Sequence, residues 1–195
     1  DLVVFLADTF RADNLAAYGS TLGLTPEIDR FAAQARVFAR AWSTSTHTLP
    51  THATLFTGHF PHQNGLVDFF NPLPGALETL AEKLAASGYR CAAVTDGVMV
   101  SQRHGLEQGF ASFDERVEVD TLARARAVLA SDDGRPLFLF VQSYAVHAPY
   151  QPTEATRARL RATLPVDGDF DLLLGEARQL GMTTLAERPG AQHAR

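Results

Sequence analysis

A mainly parallel α/β sheet flanked by helices is the fold this sequence predicts, and three observations predict it. Leu2-Val3-Val4-Phe5-Leu6-Ala7, Cys91-Ala92-Ala93-Val94 and Leu137-Phe138-Leu139-Phe140-Val141 are short, unbroken apolar runs. Runs of this kind read as strands covered on both faces. Segments with helical spacing and capping residues stand between them, so strands and helices alternate. The first run ends in Asp8, and the third leads into Ser143-Tyr144-Ala145-Val146-His147. Open α/β sheets bind ligands beyond the carboxyl ends of their strands, which nominates Asp8 and His147 for one site. The bland alternative is that some polar residue has to follow every strand.

Taken in order, Leu2 to Ala7 is the first strand. Thr25-Pro26-Glu27 opens a helix with a capping hydroxyl, a first-turn proline and an early acid, and Ile28, Phe31, Ala32 and Ala35 share its face. Val37 to Trp42 reads as a strand, followed by the polar loop Ser43-Thr44-Ser45-Thr46-His47. Thr48 then begins a helix with Pro50 in its first turn. A helix carrying Leu77, Leu80 and Leu84 stops before Gly88, a C-cap. Asp120 caps a helix with Leu122, Ala125 and Leu129 facing inward. Trp42 and the phenylalanines are expected in the core. Asp167, Asp169 and Asp171 read as a solvated loop rather than a metal site.

Composition narrows the function classes. The 195 residues suit one α/β domain with an ample core. A net charge of -5 without a Lys/Arg cluster gives no case for nucleic acid. One cysteine, Cys91, excludes an intrachain disulfide and a thiolate-rich metal site. No apolar run reaches the roughly 18 residues of a membrane span, and no signal peptide is visible. The expectation is a soluble protein, exported if a leader has been removed from ahead of Asp1, with compartment and oligomeric state left open.

Thr48-Leu49-Pro50-Thr51-His52-Ala53-Thr54-Leu55-Phe56-Thr57-Gly58 is the informative segment. It resembles the signature of the sulfatase branch of the alkaline-phosphatase superfamily: a nucleophile, then x-Pro, then a Thr-Gly pair whose glycine falls ten residues on. Its neighbours resemble that family in order. Phe5 to Asp13 is similar to the strand delivering the first metal-binding acid. Gly58 to Gly65 is similar to the turn after the nucleophile helix, Glu78 to Arg90 to the next helix and strand, and Gly105 to Phe110 to a further familiar stretch. His147-Ala148-Pro149-Tyr150 resembles the His-x-Pro-Tyr that brings a histidine to the anion. The resemblance implies a single partial, truncated alkaline-phosphatase-like domain over 1–195, with about 1–160 matching and 161–195 a divergent tail. An apolar sheet edge or an open core face is expected where further strands would stand.

The resemblance also implies a metal-dependent hydrolase of phosphate or sulfate esters. Thr48 would be the nucleophile and Thr48, His52 and His147 the catalytic residues. Arg11 and His147 would bind an anionic ester, and Asp8 and Thr48 would hold a divalent metal. A metal-stabilised alkoxide attacking an ester is sound chemistry, and oxygen ligands suit calcium, magnesium or manganese, with zinc if histidines join. A helix N-terminus at Thr48 would add unpaired N–H groups facing the anion.

Four departures stand out. Thr9 occupies the place of a second metal-binding aspartate, and His52 that of an arginine. Threonine, with its β-methyl, is not a substrate for conversion to formylglycine, so none is expected at Thr48 and phosphorus is favoured over sulfur. No late Asp-His or Asp-Asn pair supplies further ligands. These departures keep a second reading open: a non-catalytic α/β module, derived from a sulfatase, that binds an anion or a partner.

Overall fold

The computed structural model describes residues 1–117, 120–148, 150 and 152–163. The chain divides into two compact units, one of residues 1–8 and 41–144, the other of residues 9–40 and 145–195. The Asp167, Asp169 and Asp171 loop and the divergent tail lie outside the described residues.

The first unit is built on four parallel strands: β1 (Leu2–Ala7), β2 (Arg90–Val94), β3 (Ser112–Asp114) and β4 (Leu137–Ser143). Their order is β1-β4-β2-β3, with Leu2 to Ala7 in register with Phe138 to Ser143. β4 is buried along its whole length, as its unbroken apolar run predicts. Alternate residues divide between the two faces. Cys91, Ala93, Phe138 and Phe140 share one core with Leu49, Ala53 and Phe56 of helix α2 (Thr48–Thr57), and with Ala81 of α4 (Leu80–Ala86). Ala92, Val94, Leu137, Leu139 and Val141 pack with Ala125 of α5 (Thr121–Ala130) on the other face. The short helix α3 (Pro61–Asn64) follows α2.

Capping fixes where these helices begin. Thr79 Oγ1 accepts from Glu82 N at 3.1 Å while Glu82 Oε2 accepts from Thr79 N at 2.7 Å, a reciprocal pair that opens α4. Asp120 caps α5 through Leu122 N and Ala123 N. Gly109, at φ +85, lies against α4 so closely that a Cβ there would fall on Glu82 N and 2.7 Å from the Ala81 carbonyl carbon.

Several expectations fail. Val37 to Trp42 is not a strand, because no described strand pairs with it and its N–H and C=O groups have no ladder to join. Trp42 is 87% exposed rather than core, and Phe31, Phe38 and Phe70 are also exposed. On α5, Leu122 and Leu129 face outward while Thr121, Arg124 and Ala125 are buried. Arg124 takes the inward position because carboxylates meet it there, at Asp114 Oδ1 (2.9 Å) and Asp96 Oδ1 (3.4 Å). β1 is not covered on both faces as its apolar run predicts: Val4 and Leu6 pack on the α2 side, whereas Leu2, Val3 and Phe5 are exposed, Phe5 by 54%.

The second unit contains two single-turn 3-10 helices (Ala12–Asn14 and Ala16–Tyr18), α1 (Pro26–Ala32) and α6 (Glu154–Thr163). Thr25 precedes α1 but does not cap it; its hydroxyl donates to Asp29 Oδ2 at 2.9 Å. Ile28 and Phe31, read as an inward face, are exposed.

Candidate active site

The carboxyl edge of the β1–β4 pair gathers the polar side chains of interest in the first unit. Asp8 follows β1, is only 7% exposed, and donates its N–H to Ser143 O at 3.0 Å. The next residue, Thr9, stands at φ +59, a left-handed conformation rare for a β-branched residue. Strain of about 1–3 kcal/mol is tolerated mainly where surrounding structure enforces it, often at functional sites.

Thr48 is the first residue of α2, after an extended His47 at φ -116 and ψ 145 that supplies no side-chain cap. Two hydroxyls brace the approach. Ser43 Oγ donates to Ser45 O at 2.6 Å, and Thr51 Oγ1, one turn into α2, donates to the same carbonyl at 3.2 Å. Ser45 Oγ accepts from His47 N at 3.1 Å. Leu49 and Ala53 then bury one side of α2 against the sheet.

Tyr144 follows β4, and its hydroxyl oxygen is buried. Burial, and then the Asp8 charge, push the phenol well above its ordinary range. No sequence reasoning nominated Tyr144. Asp96, two residues beyond β2, was missed too, although the carboxyl-edge rule that picked Asp8 applies to it equally. Its Oδ2 accepts from Tyr144 N at 2.8 Å and Ser143 Oγ at 3.0 Å, and its Oδ1 accepts from the Thr121 hydroxyl.

His52 lies on the inner side of α2, 2% exposed, edge-on to Phe56 and Phe140. One ring nitrogen, Nδ1, is 2.8 Å from Thr48 O, and Nε2 meets no hydrogen-bond partner among the described residues. Burial pulls the imidazole below its usual range, against smaller opposing pulls from the Thr48 carbonyl and the Asp8 charge.

Arg11 and His147 belong to the second unit. Arg11 forms a two-pronged pair with Asp13, at 3.0 and 2.5 Å, and both side chains are largely exposed. Its partner and exposure leave it a weak contributor to stability. His147 Nδ1 is 2.5 Å from Ala148 O, and Thr9 Oγ1 donates to Val146 O at 3.4 Å.

Among the described residues no three His, Cys, Asp or Glu side chains group as a metal site. A buried carboxylate and a hydroxyl offer two oxygen donors, against roughly four to eight ligands for zinc, magnesium or calcium. The donor set does not by itself fit a tightly held metal.

A four-stranded parallel sheet flanked by helices, with polar groups at its carboxyl edge, is an alkaline-phosphatase-like fold, and solved structures bear this out. One, solved with its substrate D-glucosamine-2-N,6-O-disulfate, matches with a TM-score of 0.72 at 20% identity, over 89% of this chain and 40% of that one. A phosphonate monoester hydrolase of Agrobacterium radiobacter matches with a TM-score of 0.65 at 18% identity, over 80% of this chain and 43% of its own. The C-terminal periplasmic domain of an Escherichia coli protein, solved with zinc, matches with a TM-score of 0.65 at 15% identity, over 90% of this chain and 53% of its own. The family model described as Sulfatase matches residues 1–163, and the chain belongs to the sulfatase family. Among curated relatives, N-acetylglucosamine-6-O-sulfatase of Bacteroides thetaiotaomicron is 25% identical over 107 residues, which are 55% of this chain and 19% of the relative. Human arylsulfatase H is 26% identical over 133 residues, 58% of this chain and 24% of its own length. The chain thus spans a quarter or less of these two relatives. No helix among the described residues is long and apolar enough to cross a membrane.

Proposed function

We propose that this chain forms the nucleophile-bearing portion of a hydrolase acting on an anionic phosphate or sulfate ester, with Thr48 as the attacking group. The observation that carries this reading is Thr48 at the first, uncapped position of α2, whose next residue Leu49 packs in one core with Val4 and Leu6 of β1, the strand that leads to the buried Asp8. Thr48 Oγ bonds to the central phosphorus or sulfur as the bond to the departing alcohol breaks. Water then cleaves the Thr48 ester, returning the hydroxyl and releasing the inorganic anion. The uncapped first turn of α2 offers amide hydrogens to the non-bridging oxygens. His52 is proposed as a neutral support of α2 from inside the core.

Phosphorus is the favoured centre. The formylglycine route needs a nucleophile carbon that can become an aldehyde, and the β-methyl of Thr48 prevents this. A phosphonate monoester hydrolase among the structural neighbours agrees with such chemistry on this fold. Asp8 and Thr48 would offer two oxygen ligands to a divalent metal, whose charge would favour the Thr48 alkoxide. The sparse ligand set favours the second reading, an anion-binding module without turnover.

The test uses 4-nitrophenyl phosphate, bis(4-nitrophenyl) phosphate and 4-nitrophenyl sulfate with added Mg2+, Mn2+, Ca2+ or Zn2+. Turnover lost in Thr48→Ala and partly kept in Thr48→Ser is the expected outcome, with losses of at least about 10²-fold for alanine. Undiminished turnover by Thr48→Ala sinks the nucleophile assignment. Faster sulfate than phosphate hydrolysis overturns the phosphorus preference. Phosphate binding without turnover on any ester establishes the non-catalytic reading.

A further inference from the structure

His52 is a polar side chain in an apolar place. Leu49, Ala53 and Phe56 of the same helix belong to the core shared with Phe138 and Phe140. The imidazole stands edge-on to Phe56 and to Phe140 of β4, with ring centroids 6.5 and 6.0 Å away. Nδ1 lies 2.8 Å from Thr48 O, which has no hydrogen to give, so Nδ1 carries the proton and donates it. Nε2 is left as a buried acceptor without a hydrogen bond among the described residues. Burying an unsatisfied acceptor costs as much as one neutral hydrogen bond returns, or more. A leucine would fill the same place without that cost. What the histidine adds is a hold on the residue that opens α2, where no side chain caps the turn and helix ends fray. Thr54 and Thr57 bond back one turn in the same manner, to Pro50 O at 3.1 Å and Ala53 O at 2.7 Å, but neither reaches Thr48.

We propose that His52 is a positioning residue for Thr48, its Nδ1–H holding the Thr48 carbonyl so that the first residue of α2 keeps its helical backbone and Thr48 Oγ its aim. The proposal rests on the reading of Thr48 as nucleophile. It deepens the support of α2 into a trade, in which stability is given up for the placement of one oxygen. Phe140 and Phe56 hold the ring itself, so the nucleophile's backbone is referred to the central strand through a single side chain. A histidine serving only to fill the core would act through its volume, and leucine would replace it without loss of binding.

Orthovanadate is the probe, because it forms an ester-like bond to a nucleophilic hydroxyl without needing turnover. Its affinity for the 195-residue chain is measured by 51V NMR, with and without Zn2+, beside urea unfolding of the same samples. The variants are Thr48→Ala, His52→Leu, His52→Asn and the double variant of Thr48→Ala with His52→Leu. Thr48→Ala loses binding by about 100-fold or more, and His52→Leu weakens it about 10-fold, as for one lost hydrogen bond. The urea midpoint of His52→Leu stays at or above that of the wild type. His52→Asn, whose amide N–H stands where Nδ1–H stood, recovers most of the affinity. The double variant binds no worse than Thr48→Ala alone, because His52 acts through the residue already changed. Wild-type affinity in His52→Leu, or a further loss in the double variant, overturns the role of His52 and leaves Thr48 standing. Should leucine lower both midpoint and affinity, affinity restored by asparagine upholds the role, and its absence overturns it. Full binding by Thr48→Ala, or none by the wild type, overturns the nucleophile reading and this proposal with it.

Discussion

Asp114 shows how one carboxylate can serve the sheet on two sides. It closes the short strand β3, pairs with exposed Arg116 at 2.5 Å, and meets buried Arg124 at 2.9 Å. The hydrogen bond from Arg116 leads the causes that hold its carboxyl down at about 2, against 3.8 for the ordinary group. A depressed folded-state value means the charged form stabilises the fold above pH 4, and that stability drains away as pH falls from about 4 towards 2. The contribution is on the order of 1 kcal/mol once solvent screening around Arg116 is allowed for. Asp114→Asn should therefore lower stability at pH 7 and flatten its decline between pH 4 and 2, as read from urea midpoints across that range. A slope as steep as that of the wild type would assign the acid sensitivity to other groups. At this scale the sequence displayed Asp8 and Thr48, through a strand end and a motif, but not Tyr144 or Asp96. Their roles depend on which strand lies beside which, and residue spacing does not carry that information.

Helix starts were easier to read than helix faces. Asp120 was recognised as a cap because a short acceptor before an apolar period has one main use, and it accepts from two α5 amides. The inward face of α5 was misjudged because spacing alone favours leucine over arginine, whereas Asp96 and Asp114 make the buried position suit Arg124. The approach of the Gly105-to-Phe110 stretch to α4 has a different cause. Gly109 combines a left-handed backbone with contact against the Ala81–Glu82 peptide, and Thr79 Oγ1 donates to Gln108 O at 2.9 Å beside it. A side chain there meets rigid backbone rather than a flexible tip. Gly109→Ala is expected to destabilise the chain by at least about 2 kcal/mol, from backbone strain plus overpacking. Urea unfolding of the variant measures it; a change under 0.5 kcal/mol would mean that α4 yields freely.

Across the whole molecule, the class of the fold was legible and its wiring was not. β2 and β4 announced themselves because strands buried on both faces need apolar residues at every position; β1 carries the same kind of run although one of its faces is exposed. β3 escaped, since three residues ending in an aspartate carry no such run. The order β1-β4-β2-β3 was hidden for a related reason: parallel neighbours are chosen by long crossovers, not by adjacent turns. The second unit joins residues 9–40 to residues beyond 144, an association between distant segments that local periodicity does not encode.

That wiring has a consequence in time. β1 has one described neighbour, β4, and its partners are residues 138–143. Closing so long a loop costs entropy before any ladder bond repays it, so contacts of this span form late. On the ribosome β1 leaves the tunnel without its described partner, and more than a hundred residues must follow before β4 emerges. Hydrogen-exchange labelling of nascent or C-terminally shortened chains provides the check. In chains stopped at residue 136 the amides of residues 2–7 should exchange as if unfolded, and those in chains extended through residue 163 should be protected. Protection in the shorter chain would require a partner other than β4. Until residue 143 is free of the ribosome, Val3 and Phe5 belong to an unpaired apolar segment, the kind of surface that chaperones hold during synthesis.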